Sequence, residues 1–312
     1  MATMRHGFIR ADVDTTFNAD RGRVSIDPVL PTQGALLLID PTHPVLGAWE
    51  AGVPASGGTV PNLAWDHAAA VLGSGTEESL ACAMDYSGMS GSKGLIERTT
   101  RGGLHGIFSQ TQNVAAGDTT HMSIRLPEPL RLWISTGAAK EHSTFVSVWG
   151  ATTRVTNMNP GQFEAILELM EGNTTAGRAL IRSNGAGYPN VNNTNHLGSS
   201  HYPAAVLPAG PFRKALGTGA AGGVFVSYGA DSNSVFAVGN VGLNRYSGGS
   251  TPVPLGHSGS RVLYRVYVED LTVSGRTYAE VDALDQSLFA SEVLTAGGRY
   301  YGDTYTNPST LP

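Results

Sequence analysis

From about residue 104 onward, apolar side chains recur at every second position in short runs bounded by glycine and proline, the pattern of β-strands with one face buried. Residues 121–126 (HMSIRL) alternate, and so do 130–134 (LRLWI). Residues 145–149 (FVSVW) are apolar on both faces, as a central sandwich strand requires. In 163–169, Phe163, Ala165, Leu167 and Leu169 share one face, with Glu164 and Glu168 on the other; Pro160-Gly161 and Gly172 bound a run of strand length. Two further strands, 223–228 and 234–238, flank a hairpin loop at 229–233. The clearest strand is 261–268, whose alternation sets Val262, Tyr264, Val266 and Val268 on one face and Leu263, Arg265 and Tyr267 on the other. Upstream, Gly34 and Pro41 bracket an apolar run, 35–39, too short for a helix and read as a buried strand.

Helical spacing is rare. Residues 62–72 predict a short helix ending at Gly73. A stronger one runs from about Thr277 to Phe289, because Thr277 and Glu280 make a capping box and Tyr278, Val281, Ala283, Leu284 and Leu288 fall near one face. Glu280, Asp282 and Asp285 crowd its first half, where the helix dipole favours negative charge and where they read as solvated. No fixed-period repeat or heptad pattern is present. These elements predict an all-β chain of two stacked antiparallel sheets with one short C-terminal helix. Residues 1–33 read as an N-terminal arm and 34–312 as one sandwich domain; the Pro/Gly cluster at 200–215 marks the boundary if there are two.

Composition narrows the functional classes. Only 14% of the 312 residues are charged, against roughly 25% in an average soluble chain. The 40 glycines and 17 prolines suit short strands and turns and oppose long helices. A net charge of −5 without a basic cluster argues against a nucleic-acid partner. Cys82 is the sole cysteine, so no intrachain disulfide can form and folding in a reducing compartment is expected. Neither a signal peptide nor an apolar membrane-spanning run is read in the chain.

The segment Tyr264 to Val281 resembles the closing strand of laminin-G-like modules of the concanavalin superfamily. There an Arg-x-Tyr strand runs into a Leu-Ser turn and a short helix; Arg265, Tyr267, Leu271, Ser274 and Glu280 hold the comparable places, with a longer spacing between Leu271 and Glu280. The run 34–40 is similar to the first core strand of such modules. The resemblance implies a jelly roll of two sheets and a family that includes carbohydrate binders, glycosidases and modules of bacteriophage virion proteins. The low charge, the richness in Gly, Ala, Ser, Thr and Asn and the cysteine usage also resemble virion proteins. The expectation is therefore a non-enzymatic virion protein, a minor tail component or a head decoration, made in the host cytoplasm. Its expected partners are other virion proteins and copies of itself. The alternatives are a module binding a host surface glycan and, third, a glycosidase.

The candidate chemistry is sparse. Glu280, Asp282 and Asp285 superficially resemble the paired carboxylates of concanavalin-fold glucanases, but in a helix Glu280 and Asp282 lie about 200° apart, so no catalytic residue is assigned. The nine histidines show no metal-ligand spacing, and the Asp/Asn groups at 231–234 and 303–307 read as turns, so no metal or cofactor is expected. The loop 88–94 lacks a phosphate-loop pattern and reads as flexible. Of the four tryptophans, Trp133 and Trp149 lie in strand patterns and read as core. Trp49 and Trp65 lie in the irregular stretch and are the exposed candidates for stacking on a ligand.

Overall fold

The computed structural model describes residues 16–18, 23–25, 27–46, 49, 52–112, 120–135, 142–157, 165–170, 177–182, 196–197, 207–218, 234–239 and 257–312. In chain order these form the hairpin β1 (Thr16–Asn18) and β2 (Arg23–Ser25), then β3 (Ala35–Ile39), β4 (Thr59–Val60) and α1 (Trp65–Leu72). Next come β5 (Cys82–Ser87), β6 (Gly94–Arg98), β7 (Leu104–Phe108), β8 (His121–Arg125), α2 (Glu128–Ser135) and β9 (Thr144–Arg154). The hairpin β10 (Ala165–Met170) and β11 (Gly177–Arg182) is followed by β12 (His196–Leu197), β13 (Gly210–Thr218), β14 (Ser234–Gly239) and β15 (Ser260–Asp270). The chain closes with α3 (Leu271–Ser274) and α4 (Tyr278–Phe289), a π-helical turn Ala290–Leu294 and a 3-10 turn Pro308–Thr310.

Strand outweighs helix, and every pairing is antiparallel. One sheet runs β12-β13-β9-β15; the far edge of β15 is shared by β7, at residues 261–263, and β3, at 266–269, with β6 outside β7. The second sheet runs β14-β8-β5-β4. The sheets face each other in a sandwich-like arrangement. Leu104, Phe108, Val146, Val148, Leu263, Val266 and Val268 of the first sheet share a core with Met84, Met122, Ile124, Phe236 and Val238 of the second. The approach is close enough at Gly106 that a Cβ there would lie 2.8 Å from the Met122 methyl.

A bulge in β15 decides what lies on the other side of the first sheet. Leu263 opposes Gly150 and Arg265 opposes Trp149, so Tyr264 is the extra residue and the alternation changes phase there. Leu263, Val266 and Val268 point into the core between the sheets, whereas Val262, Tyr264 and Tyr267 pack on the outer face. The simple alternation expected for 261–268 is corrected accordingly. The outer face is not solvated. Trp149, Val262 and Tyr264 pack against Phe289, Val293 and Tyr300, and Phe145 and Tyr267 against Val29, Leu30 and Val281. A third layer, made of 27–33 and the C-terminal helices, therefore covers the sheet.

The expected elements at 35–39, 62–72, 121–126, 145–149, 234–238 and 261–268 appear as β3, α1, β8, β9, β14 and β15, the described part of 163–169 as β10, and α1 ends at Gly73 in the left-handed conformation. Residues 163–164, 223–228 and the hairpin loop 229–233, with all but Ser234 of the 231–234 group, lie outside the described residues. Residues 130–134 are corrected from strand to helix α2. Pro129 sits in its first turn, where a missing N–H costs nothing, and Leu130 and Ile134, one turn apart, are the buried pair while Leu132 is exposed. Five residues are too few to separate the two periods.

Helix α4 carries the expected capping box. The Thr277 hydroxyl accepts from the Glu280 amide, and the Glu280 carboxylate accepts from the Thr277 amide. Its buried face is Val281, Asp285 and Phe289, with Tyr278 and Leu288 half-buried; Leu284 is 39% exposed and Ala283 is exposed, against expectation. Thr277→Ala is expected to cost about 1 kcal/mol, measured as a shift of the urea midpoint at constant slope. An unchanged midpoint would show that tertiary packing alone holds this end.

Candidate functional site

Sheet order makes β6 and β4 edge strands, and two adjoining cavities lie along these edges. One, of about 530 Å³, is lined by Trp49, Val53, Pro54, Thr59 and Pro61 among others. The other, of about 500 Å³, is lined by Tyr86, Met89, Leu95, Ile96 and Leu311 among others, and shares Val53 as a wall. Among the described residues lining either cavity, the Tyr86 phenol is the sole ionisable group. The lining mixes aromatic, aliphatic and prolyl side chains with the hydroxyls of Thr59, Ser90 and Thr310 and several glycines. Such a lining can bind an apolar or ring-shaped group, and beyond the Tyr86 phenol it supplies no acid or base to act on one.

Trp49 anchors this region without being exposed. It is 6% accessible, its amide donates to Pro41 O, and the Arg98 guanidinium stands 5.3 Å from its ring. Arg98 donates to Pro41 O through Nη2, while its Nε and Nη1, like Trp49 Nε1, are buried without a hydrogen-bond partner among the described residues. Trp65, in α1, is half-buried against the core between the sheets. The expectation of exposed tryptophan platforms is thus corrected: one lines a cavity wall and the other packs. Apolar area explains this, since an indole in irregular chain gains as much from burial as one in a strand.

Most carboxylates near the centre are committed to a buried charge layer between the first sheet and its covering third layer. Arg265, with no accessible surface, makes a two-pronged pair with Asp27 (2.6 and 3.1 Å) and lies 3.5 Å from Asp40. Asp40 in turn accepts from Arg299 (3.0 and 3.1 Å) and from the Tyr300 hydroxyl (2.8 Å). The amides of Val45 and Leu46 donate to His43 Nδ1, so its Nε2–H donates to Asp27 at 3.0 Å. Burial alone would raise the Asp27 pKa; the charge of Arg265 and the hydrogen bonds from His43 and Arg265 reverse this and hold the carboxyl well below its usual range. A few residues away, Asp285 accepts from Trp149 Nε1 (3.1 Å) and Arg213 Nε (2.6 Å), and Arg276 and Tyr267 hold Glu269. Asp285 is fully buried, which corrects its reading as a solvated helix residue; Glu280 is solvated as expected.

On the free face of the second sheet, Asp85 accepts from His121 (3.2 Å) and Arg125 (2.6 Å), and these bonds, the one from His121 foremost, bring its pKa down to about 2.

One arrangement has the polarity of a nucleophile relay. Glu97 Oε1 lies 2.8 Å from His105 Nδ1, and Thr153 Oγ1 lies 2.9 Å from Nε2. An ionised Glu97 only accepts, so Nδ1 carries the proton and Nε2 accepts from Thr153. The imidazole is fully buried under Tyr305, however, and Glu97 also accepts from the Thr306 amide and hydroxyl. The cluster therefore holds the C-terminal segment down, and no cavity brings a substrate to Thr153 among those described.

The sequence reasoning missed this cluster because 97, 105 and 153 lie on three strands; strand register is the only signal that could unite them. Asn307 caps the 3-10 turn, as its turn reading expects, whereas Asp303 accepts from the Arg101 amide and the Thr100 hydroxyl, far away in sequence. The loop 88–94 is compact, with Met89 buried. No group of three or more potential metal ligands occurs, and no helix is long and apolar enough to cross a membrane, among the described residues. No family model, curated protein or solved structure matches the chain.

Proposed function

We propose that the chain is a non-enzymatic binding and assembly protein, a structural component of a virus particle such as a bacteriophage minor tail protein, built on a concanavalin-like jelly roll. The observation that carries the choice of binding over catalysis is the pair of edge cavities, whose described lining offers aromatic and aliphatic surface and no ionisable group beyond the Tyr86 phenol. The carboxylates that a glycosidase would need are engaged elsewhere: Asp285 lies in a buried ion pair and Glu280 in a helix cap. Assignment to a virion rests on composition and on the resemblance of 264–281. For the jelly roll, the support is that the first strand of the body, β3, pairs with the last, β15, and that the chain passes repeatedly between the two antiparallel sheets.

A second reading, glycan binding, is favoured by Trp49. Its ring lines one cavity, with the Arg98 guanidinium 5.3 Å from the ring centroid, and the C–H face of a sugar ring stacks on an aromatic face. Val53→Asp places a charge in the wall common to both cavities. It is expected to abolish incorporation into particles, or glycan binding, while the thermal midpoint moves only a few degrees. Incorporation and glycan binding both equal to wild type would show that this edge is not the binding surface.

A further inference from the structure

We propose that residues 303–312 form an acid-released strap across the outer face of the first sheet, with His105 and Glu97 as its trigger and Gly302 as its hinge. The attachment is built differently on the two sides of Gly302, which itself adopts a left-handed φ of +67°. Before it, Arg299 and Tyr300 are tied to Asp40 in the buried charge layer. Beyond it, the strap is held by Arg101 N–H to Asp303, by the backbone and hydroxyl of Thr100 against Thr304, and by Glu97 accepting from Thr306 (2.8 and 2.7 Å). Tyr305 lies on the His105 ring at 4.9 Å between centroids. Arg154 binds the backbone carbonyls of Pro308 and Leu311, contacts that do not titrate.

The groups facing His105 are Glu97 from β6, Asp303 and Tyr305 from the strap, and Thr153 from β9; Tyr264 of β15 lies beside Asp303. Burial lowers the affinity of His105 for a proton, and the opposing charges of Glu97 and Asp303 do not make up the difference. Glu97 would be raised by burial, but the hydrogen bonds from Thr306 and His105 outweigh this and lower it. Both shifts have the same sign for the strap. A histidine with a depressed folded pKa contributes stability above its ordinary value near 6.5 and loses it as pH falls below that; a depressed glutamate does so below about 4.3. Lifting the strap exposes both groups to water and relieves both penalties. The charge layer on the other side of Gly302 differs, because its Asp27, paired with Arg265, stays ionised to far lower pH. The strap should therefore loosen first and alone.

The test is hydrogen–deuterium exchange of the full chain at pH 7.5, 6.5 and 5.5, corrected for intrinsic exchange. Protection of peptides spanning 303–306 is expected to fall between pH 6.5 and 5.5, by up to about fivefold, the limit for one proton on a histidine whose released pKa is near 6.5. Peptides from 262–268 should hold constant. His105→Gln should abolish that step. Should this variant not fold, Thr306→Val serves instead, weakening protection at every pH while keeping the step. Equal protection of 303–306 at pH 7.5 and 5.5, loosening of 262–268 in parallel, or a step that survives His105→Gln would overturn the proposal.

Discussion

Replacing Arg265 by methionine is expected to destabilise the fold by about 3–5 kcal/mol at neutral pH, the cost of breaking a buried pair from one side. Methionine fills much of the arginine stem, so the loss is electrostatic rather than a cavity. It strands Asp27, which keeps the His43 ring and the Val29 amide as donors but loses its paired cation, and removes one of the cations around Asp40. In the wild type, Asp27 has a depressed pKa, so its contribution is complete above the unfolded value near 3.9 and is lost only as pH falls through its lower folded value. Without Arg265, burial dominates and the Asp27 pKa rises. The variant then gains from protonation where the wild type does not. Urea unfolding at pH 7 and pH 4 checks both parts: the gap between the two proteins should be several kcal/mol at pH 7 and smaller at pH 4. A gap below about 1 kcal/mol, the scale of an exposed pair, would mean that water reaches the pair and that it ties nothing together.

Trp149→Ala should cost a similar amount, about 3–5 kcal/mol, for a different reason. The indole is fully buried on the outer face of the first sheet, edge-on to Phe289 at 5.6 Å, with the Arg265 guanidinium 5.1 Å from its centroid and its N–H on Asp285. Truncation opens a cavity under α4 and removes one donor to Asp285. Trp149→Phe keeps most of the volume and loses the donor, so it should recover more than half of the loss. If alanine and phenylalanine cost the same, the hydrogen bond and not the packing dominates. These two residues, with Asp27 and Asp285, join four parts of the chain that are far apart in sequence, which is why both substitutions should lower the whole cooperative transition.

The legible part of this fold was local. The capping box at Thr277, the short apolar run 35–39 and the period of two in 121–126 involve neighbours in sequence, and each appears as expected. What the pattern could not carry was any change of phase or partner. The β15 alternation reverses at Tyr264 because one extra residue opposes Trp149, and nothing in 261–268 announces a bulge. Asp285 looked like a solvated dipole residue because its partners, Arg213 and Trp149, are 72 and 136 positions away. Asp27 sat in a segment with no period of its own, yet it meets Arg265 across 238 positions. The site is mixed: Trp49 was singled out as an aromatic in irregular chain and its cavity is lined locally, by residues between 49 and 61, whereas the adjoining cavity exists only where β6 and the C-terminal segment meet Val53.

The central claim, that this chain binds and assembles within a particle, is tested most directly by quantitative mass spectrometry of density-purified virions from cells that produce it. The account predicts its peptides in a fixed ratio to the other virion proteins, unchanged through a second gradient and a high-salt wash. A chain found in the soluble fraction and absent from the washed particles would contradict it.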